Sequence, residues 1–319
     1  MIGGGWPVSS VGGAPTPCPE VPDIAVVLVE GGPPAGDEPD AAVVGEWRAS
    51  WGRADHAAAV EEVRQAIARG DVYQVTVVGH AAAPFTGDPA AVGARLAAVP
   101  GAPWAGGISG QGWAVHAASP ELFVEVRHDV VTTRPIKGTS ARGVDAGTDL
   151  AAYDALRLSE KDRAEHVMIV DLERNDLARV ARTGGVAVDE LYVVRPLAGL
   201  WHAESSVTAQ LRPGVGLAEL LSATFPGGSV TGTPKGAALS EIARREPVGR
   251  GPSMGALGWI GSDGAVRLGL SIRTVAAAAD HVHLWAGGGV TWSSNPEDEV
   301  AEAAAKAAPL LAALAGPPR

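Results

Sequence analysis

Apolar and polar positions alternate along this chain in two registers. In HAAAVEEVRQAIARG, which starts at His56, Val60, Val63 and Ile67 fall at helical spacing, and Gly70 stands where the helix should close. DVYQVTVVGH follows as a strand, and the segments 112–118 and 122–133 have the same β-branched character. A second helix is predicted over 149–182, broken or bent inside, with strands over 186–194 and 204–211. TPKGAALSEIARRE reads as a third helix, with Thr233 as N-cap and Pro234 at the first helical position. Strands over 265–275 and 281–286 lead to the glycines 287–289, read as a cradle for an oxyanion or a tight turn. The last helix opens at SNPEDE, where Asn295 caps, Pro296 starts and acidic residues fill the first turn. Strands arrive in pairs without a helix between each, so the fold class is α+β with antiparallel sheet, not a doubly wound parallel fold. Residues 1–54 are Gly- and Pro-rich with one apolar run, IAVVLV (Ile24–Val29), predicted as a short strand; the organised domain is expected over 55–315.

Composition narrows the partners. The 25 basic and 36 acidic residues leave a net charge of −11, which argues against nucleic acid or an anionic membrane surface. A small anionic substrate stays possible, because a few arginines or a metal ion can reverse the field inside one pocket. Cys18 is the only cysteine, so neither an intrachain disulfide nor a cysteine metal cluster can form. No run approaches the ~20 apolar residues of a spanning helix, and MIGGGWPVSS has no signal-peptide pattern. The expectation is a soluble, cytoplasmic protein.

Several residues could carry chemistry. Glu165, in KDRAEHVMIVDLERND, shares a helix face with Met168, Ile169 and Leu172, and a carboxylate on an apolar stripe needs a partner. That partner is an arginine such as Arg163 or Arg174, or a metal. Glu299 and Glu302 project from one side of the last helix; either Glu302 pairs with Lys306 at i,i+4 or these carboxylates meet others around a hard cation. FPGGSVTGTPKG sets glycines before a helix start, where backbone N–H groups can hold an anion. Arg273, in LGLSIRTV, is either edge-exposed or grips a carboxylate. Glu121 and His202 are candidate acid–base groups. Lys137, in RPIKGTSARG, is on its own a solvated turn lysine.

Together the stretches GDVYQV, SPELF, RPIKGT, KDRAEHVMIVDLERNDLARV, FPGGSVTGTPK, RGPSMGALGWI, LSIRTV and WAGGGVTWSSNPEDE resemble the chorismate-utilising enzymes, in that family's order from about 55 to 312. The resemblance implies a single domain with two large antiparallel sheets packed together and helices outside. It implies Mg²⁺ held by Glu165 and Glu302, with Glu299 close by, against the ring carboxylate of chorismate. Arg273 and the backbone around Gly138, Thr139, Gly287 and Gly288 would hold substrate carboxylates. Glu121 matches the family's general acid and His202 a histidine lining the ring pocket.

Two positions choose among members of the family. Isochorismate and salicylate synthases resemble one another in a water-activating lysine where this chain has Gln74, and a neutral amide cannot be that base. Anthranilate synthases usually read PIAGT, whereas PIKGT is characteristic of aminodeoxychorismate synthase component I. Lys137 is thereby expected to attack the ring, so that chorismate and ammonia give 4-amino-4-deoxychorismate, toward 4-aminobenzoate and folate or an antibiotic. No glutaminase triad is present, so ammonia is expected from a separate glutamine amidotransferase subunit. The alternatives are anthranilate synthase component I and a chorismate-binding subunit without turnover. The LLES-like element of tryptophan binding is missing, so tryptophan regulation is not expected.

Overall fold

The computed structural model describes residues 13–29, 42–97, 99–197 and 200–315. In chain order its strands are β1 (Val43–Val44), β2 (Arg48–Ala49), β3 (Gln74–Thr86), β4 (Gly106–Gly110), β5 (Trp113–Ala117), β6 (Leu122–Arg127), β7 (Val130–Arg134), β8 (Ile136–Ala141), β9 (Ala181–Leu197), β10 (Leu200–Leu211), β11 (Gly232–Thr233), β12 (Ala256–Ile260), β13 (Val266–Leu270), β14 (Thr274–Ala278) and β15 (His281–Val290). The helices are α1 (Arg53–Ala68), α2 (Ala91–Leu96), α3 (Ala146–Leu158), α4 (Glu160–Ala178), α5 (Leu217–Thr224), α6 (Lys235–Arg245) and α7 (Pro296–Leu314).

One sheet runs β12-β13-β6-β7-β10-β8, with β9 on β10; the other runs β1-β3-β15-β14-β5-β4, with β2 and β11 on β3. All the ladders among the described residues are antiparallel. The sheets face each other across the largest core cluster, where Val78, Val115 and Ala276 of one meet Val124, Val131 and Leu268 of the other. Cys18 and Val21 pack into the same cluster. The outer face of the second sheet is covered by α2 and α7 through Val92, Leu96, Leu310 and Leu314, and by α1 and α6 through Val60, Val63, Ala238 and Ile242. Alternation along β3 makes this possible: Val75 and Val77 pack under the helices while Val78 packs between the sheets.

Several boundaries differ from the sequence expectations. IAVVLV forms no strand: Ile24 makes one isolated bridge, and Val26 to Val29 are exposed with no strand assigned. An apolar run becomes a strand only where a ladder accepts its N–H and C=O groups. The segment 122–133 is a hairpin that turns at His128, whose φ is +58°, and Asp129. The helix expected over 149–182 is two, α3 and α4, divided at Ser159, whose hydroxyl caps α4 by accepting from the Asp162 amide at 3.1 Å. Thr233 is not a cap, because its backbone pairs with Gln74, and α6 starts at Lys235. The glycines 287–289 lie inside β15 and make no turn. The strand expected over 265–275 leaves one sheet at Leu270 and enters the other at Thr274. Helices α2 and α5 and strands β1, β2, β4, β11 and β12 are additional, and RPIKGTSARG, read as a turn, forms strand β8 on β10.

Candidate active site

The polypeptide passes between the sheets twice at one corner, between β5 and β6 and between β13 and β14. The crossings are tied together: the Ala118 amide donates to the Arg273 carbonyl at 3.0 Å, and the Leu270 amide to that of Glu121 at 3.1 Å. Glu121 and Arg273 are thereby carried to the same corner. The Glu121 side chain is buried, and its Oε1 accepts from Ser229 Oγ at 2.6 Å. Burial pushes its carboxyl up to about 7, against the pull of the Ser229 and Ile136 hydrogen bonds and the charge of Lys137. Arg273, at φ +49°, is in the break between strands rather than within one. It is half-buried, so it is not the exposed edge residue of the first alternative. Among the described residues its guanidinium makes no ion pair, and the charge it feels is that of Glu121. A partly buried arginine without a carboxylate partner is suited to gripping one that arrives with a ligand.

Lys137 lies on β8, followed by Gly138 at φ +93°. Its carbonyl accepts from His166 Nδ1 at 3.1 Å; Nε2 of the same ring then accepts from Ser205 Oγ at 2.5 Å. Its ammonium is not the solvated charge of an idle turn lysine: it is 3.7 Å from Glu165 Oε2, with 17% of the side chain exposed. It is also pressed against the backbone of Gly289. A Cβ on Gly289 would collide with Lys137 Nζ and lie 2.8 Å from Gln74 Nε2. Gln74 is fully buried, yet neither end of its amide has a hydrogen-bond partner among the described residues. His202, paired in register with Thr139, uses Nδ1 on Thr139 Oγ1 at 2.9 Å and leaves buried Nε2 without a partner. Burial and then the charge of Arg273 lower its pKa to about 4. Native proteins seldom leave such groups unmatched, and the Gln74 amide shares the space over Gly289 with the Lys137 ammonium.

Three carboxylates border Lys137. Glu165 is buried on α4; its Oε1 accepts from Thr291 Oγ1 at 2.8 Å. Its cationic neighbour is Lys137, not Arg163 or Arg174; Arg174 pairs with Asp171 at 2.9 Å. Glu302 makes the expected i,i+4 pair with Lys306 at 2.7 Å, and Lys306 also donates to the Gly287 carbonyl at 3.0 Å. Glu299 is held up by burial first and by the negative charge of Glu302, against the Ser294 hydrogen bond and Lys137. Both glutamates reach the backbone of Gly288, where a Cβ would lie 2.9 Å from Glu299 Oε2 and 3.8 Å from Glu302 Oε1. This all-oxygen donor set fits a hard divalent cation. Among the described residues no group of three or more ligating side chains could hold an ion by itself.

Two features escape sequence reading. His166, which props the Lys137 carbonyl, is signalled only by its place next to Glu165. Buried Glu173 and Asp176 and half-buried Lys235 form a cluster behind Glu121, with Lys235 Nζ 2.6 Å from Asp176 Oδ2. The Gly228–Ser229 segment offers Glu121 a hydroxyl, and Lys235 is turned inward to this aspartate and to the carbonyls of Thr224 and Pro226.

The chain is similar to known proteins over most of its length. The profile described as chorismate binding enzyme matches residues 19–312. The chain is 38% identical over 269 residues to anthranilate synthase component 1 of Streptomyces coelicolor, covering 84% of this chain and 53% of that protein. It is 38% identical over 256 residues to aminodeoxychorismate synthase component 1 of Klebsiella aerogenes, covering 80% and 57%. The crystal structure of anthranilate synthase component I from Streptococcus pneumoniae matches with a TM-score of 0.76 at 29% identity, over 84% of this chain and 59% of that one. The chain thus spans about half the length of the curated relatives it matches. No described helix is long and apolar enough to cross a membrane. By the match across residues 19–312, the chain belongs to the family of chorismate binding enzymes.

Proposed function

We propose that residues 55–315 form the catalytic domain of a cytoplasmic aminodeoxychorismate synthase component I, which converts chorismate and ammonia to 4-amino-4-deoxychorismate. The observation that carries this reading is Lys137, whose Nζ is held over the missing side chain of Gly289, beside the unpartnered amide of Gln74. Arg273 and the amides near Gly138, Thr139 and Gly287 would grip substrate carboxylates, and His202 would border the ring. Glu165 and Glu302, with Glu299, would hold Mg²⁺, which when bound neutralises the ring carboxylate and charge developing in the ring. The Lys137 lone pair forms a bond to ring C2 as the C4–O bond breaks, and Glu121 gives its proton to the departing hydroxyl. Ammonia then bonds to C4 as the C2–N bond breaks, which returns the lysine. A separate glutamine amidotransferase would supply the ammonia, and 4-aminobenzoate and folate would lie downstream.

Anthranilate synthase is the second reading, because a relative of that name is equally identical. Product identification by mass spectrometry separates the two, using chorismate, Mg²⁺ and an ammonium salt in place of the partner. The expected result is aminodeoxychorismate from the wild type and its loss in Lys137→Ala. Anthranilate from the wild type would overturn the proposal. Bound chorismate without product would point to a subunit that binds without turnover.

A further inference from the structure

One buried carboxylate has no part in the reaction proposed above. Glu173 lies on the inward side of α4, about two turns beyond Glu165, and is 8% exposed. Its Oε2 accepts from Thr133 Oγ1 at 2.8 Å. Among the described residues no cation is bonded to it, and Lys235 is committed to Asp176 and to two carbonyls. Its side chain packs on Gly228, where an added Cβ would lie 3.4 Å from Glu173 Cγ. The next residue, Ser229, gives its hydroxyl to Glu121. Both carboxyls therefore adjoin one short segment, Gly228–Ser229. A cavity of about 10 Å³ beside Glu173, lined by Thr133, Asp176, Thr224 and Gly228, has the volume of a single water. Burial first, and then the negative charge of Glu121, push Glu173 up to about 8, against about 7 for Glu121.

We propose that Glu173 is a positioning residue that acts through Glu121: adjoining the same Gly228–Ser229 segment, it makes the two carboxyls release their protons as a coupled pair, so that Glu121 retains the proton it gives to the leaving hydroxyl. The inference rests on the general-acid role assigned to Glu121. Once Glu173 ionises, its charge raises the proton affinity of Glu121, which stretches the titration of Glu121 to higher pH. The charged and titratable groups that bear on Glu173 are Glu121, Asp176 and Lys235; those on Glu121 are Lys137, Glu204 and Arg273.

The test pairs a carboxyl ¹³C NMR titration of the folded protein with the pH profile of amination, for wild type, Glu173→Gln and Glu173→Asp. Variant-to-wild-type ratios at each pH remove the ionisation of ammonium itself. In Glu173→Gln, the Glu121 midpoint and the alkaline limb should both move acidward by roughly half a pH unit, so the activity ratio falls roughly threefold between slightly acid and slightly alkaline pH. Glu173→Asp, which keeps a carboxyl, should restore both. An unmoved Glu121 titration, or a uniform loss of rate with an unmoved limb, overturns the proposal. A moved titration together with a fully active Glu121→Gln enzyme would leave the coupling standing and remove the acid role instead.

Discussion

Lys137 sits where it does because Gly289 lacks a side chain. β15 pairs Gly289 with Thr76 of β3, and the space over that glycine holds Lys137 Nζ and Gln74 Nε2. Gly288, one residue back, gives its open side to Glu299 and Glu302. Alternation along one strand thus sends two successive glycines to two groups of functional side chains. Gly289→Ala would drive the flexible end of Lys137 away while leaving the backbone in place. Its kcat/KM for amination should fall by about a hundredfold, the loss that follows an ångström-scale misplacement, with little change in melting temperature. Steady-state kinetics and thermal unfolding of the same preparation check both halves. Lys137 itself was legible in RPIKGT only by resemblance. The glycines were visible as GGG, but their role depends on which side of a strand each faces, and a run of glycines has no hydrophobic alternation to show it.

At the scale of elements, one buried ion pair joins the pieces that carry the site. Arg250 donates to both carboxylate oxygens of Glu246, to the Val230 carbonyl at 2.6 Å and to that of Thr76 at 3.0 Å. Glu246 in turn accepts from the Val78 amide at 2.9 Å. The end of α6, the turn that offers Ser229 and the strand that bears Gln74 are fastened at this point. Arg250 is 4% exposed, so Arg250→Ala would strand a carboxylate in the interior. The expected cost is about 3–5 kcal/mol of folding stability, read by urea unfolding; a loss below about 1 kcal/mol would show that the pair is not the fastener. The sequence marks most of the long elements, because α1, β3 and α7 carry clear periodicity or caps. It does not mark the passage between sheets at Ser271–Arg273, because a change of hydrogen-bonding partner leaves the apolar pattern of VRLGLSIRTV unbroken. Nor does it reveal the neighbourhood of Glu121 and Arg273, which exists only because two such passages are bonded side by side.

For the molecule as a whole, burial of ionisable groups sets the pH range of stability. His80, His116, His166, His202 and His283 are each lowered to about 4, chiefly by burial, from 6.5. The unfolded chain binds more protons than the native one in that window, so their contribution is complete above pH 6.5 and is lost as pH falls toward 4. Glu121 and Glu173 act in the opposite sense: raised from 4.5 to about 7 and about 8, they contribute fully below 4.5, and that contribution is lost as pH rises through those folded values. Each uncoupled group changes stability by about 1.4 kcal/mol per pH unit inside its window. Five histidines outweigh the two glutamates below 6.5, and above it the histidine contribution is complete while that of the glutamates is still being lost. Stability from urea unfolding should therefore peak near pH 6.5, the ordinary histidine value, and Glu173→Gln should flatten the alkaline decline. A steady rise through pH 8 would contradict this account.

The central claim is that the Lys137 amine bonds to the substrate ring. Its most direct test is intact-protein and peptide mass spectrometry of enzyme quenched during reaction with chorismate and Mg²⁺, with ammonia left out. The expected result is a mass gain of one chorismate less one water, mapped to the peptide containing Lys137 and absent from Lys137→Ala. Turnover to aminodeoxychorismate by the same preparation once ammonium is added, with no adduct at any stage or with one on another residue, would contradict it.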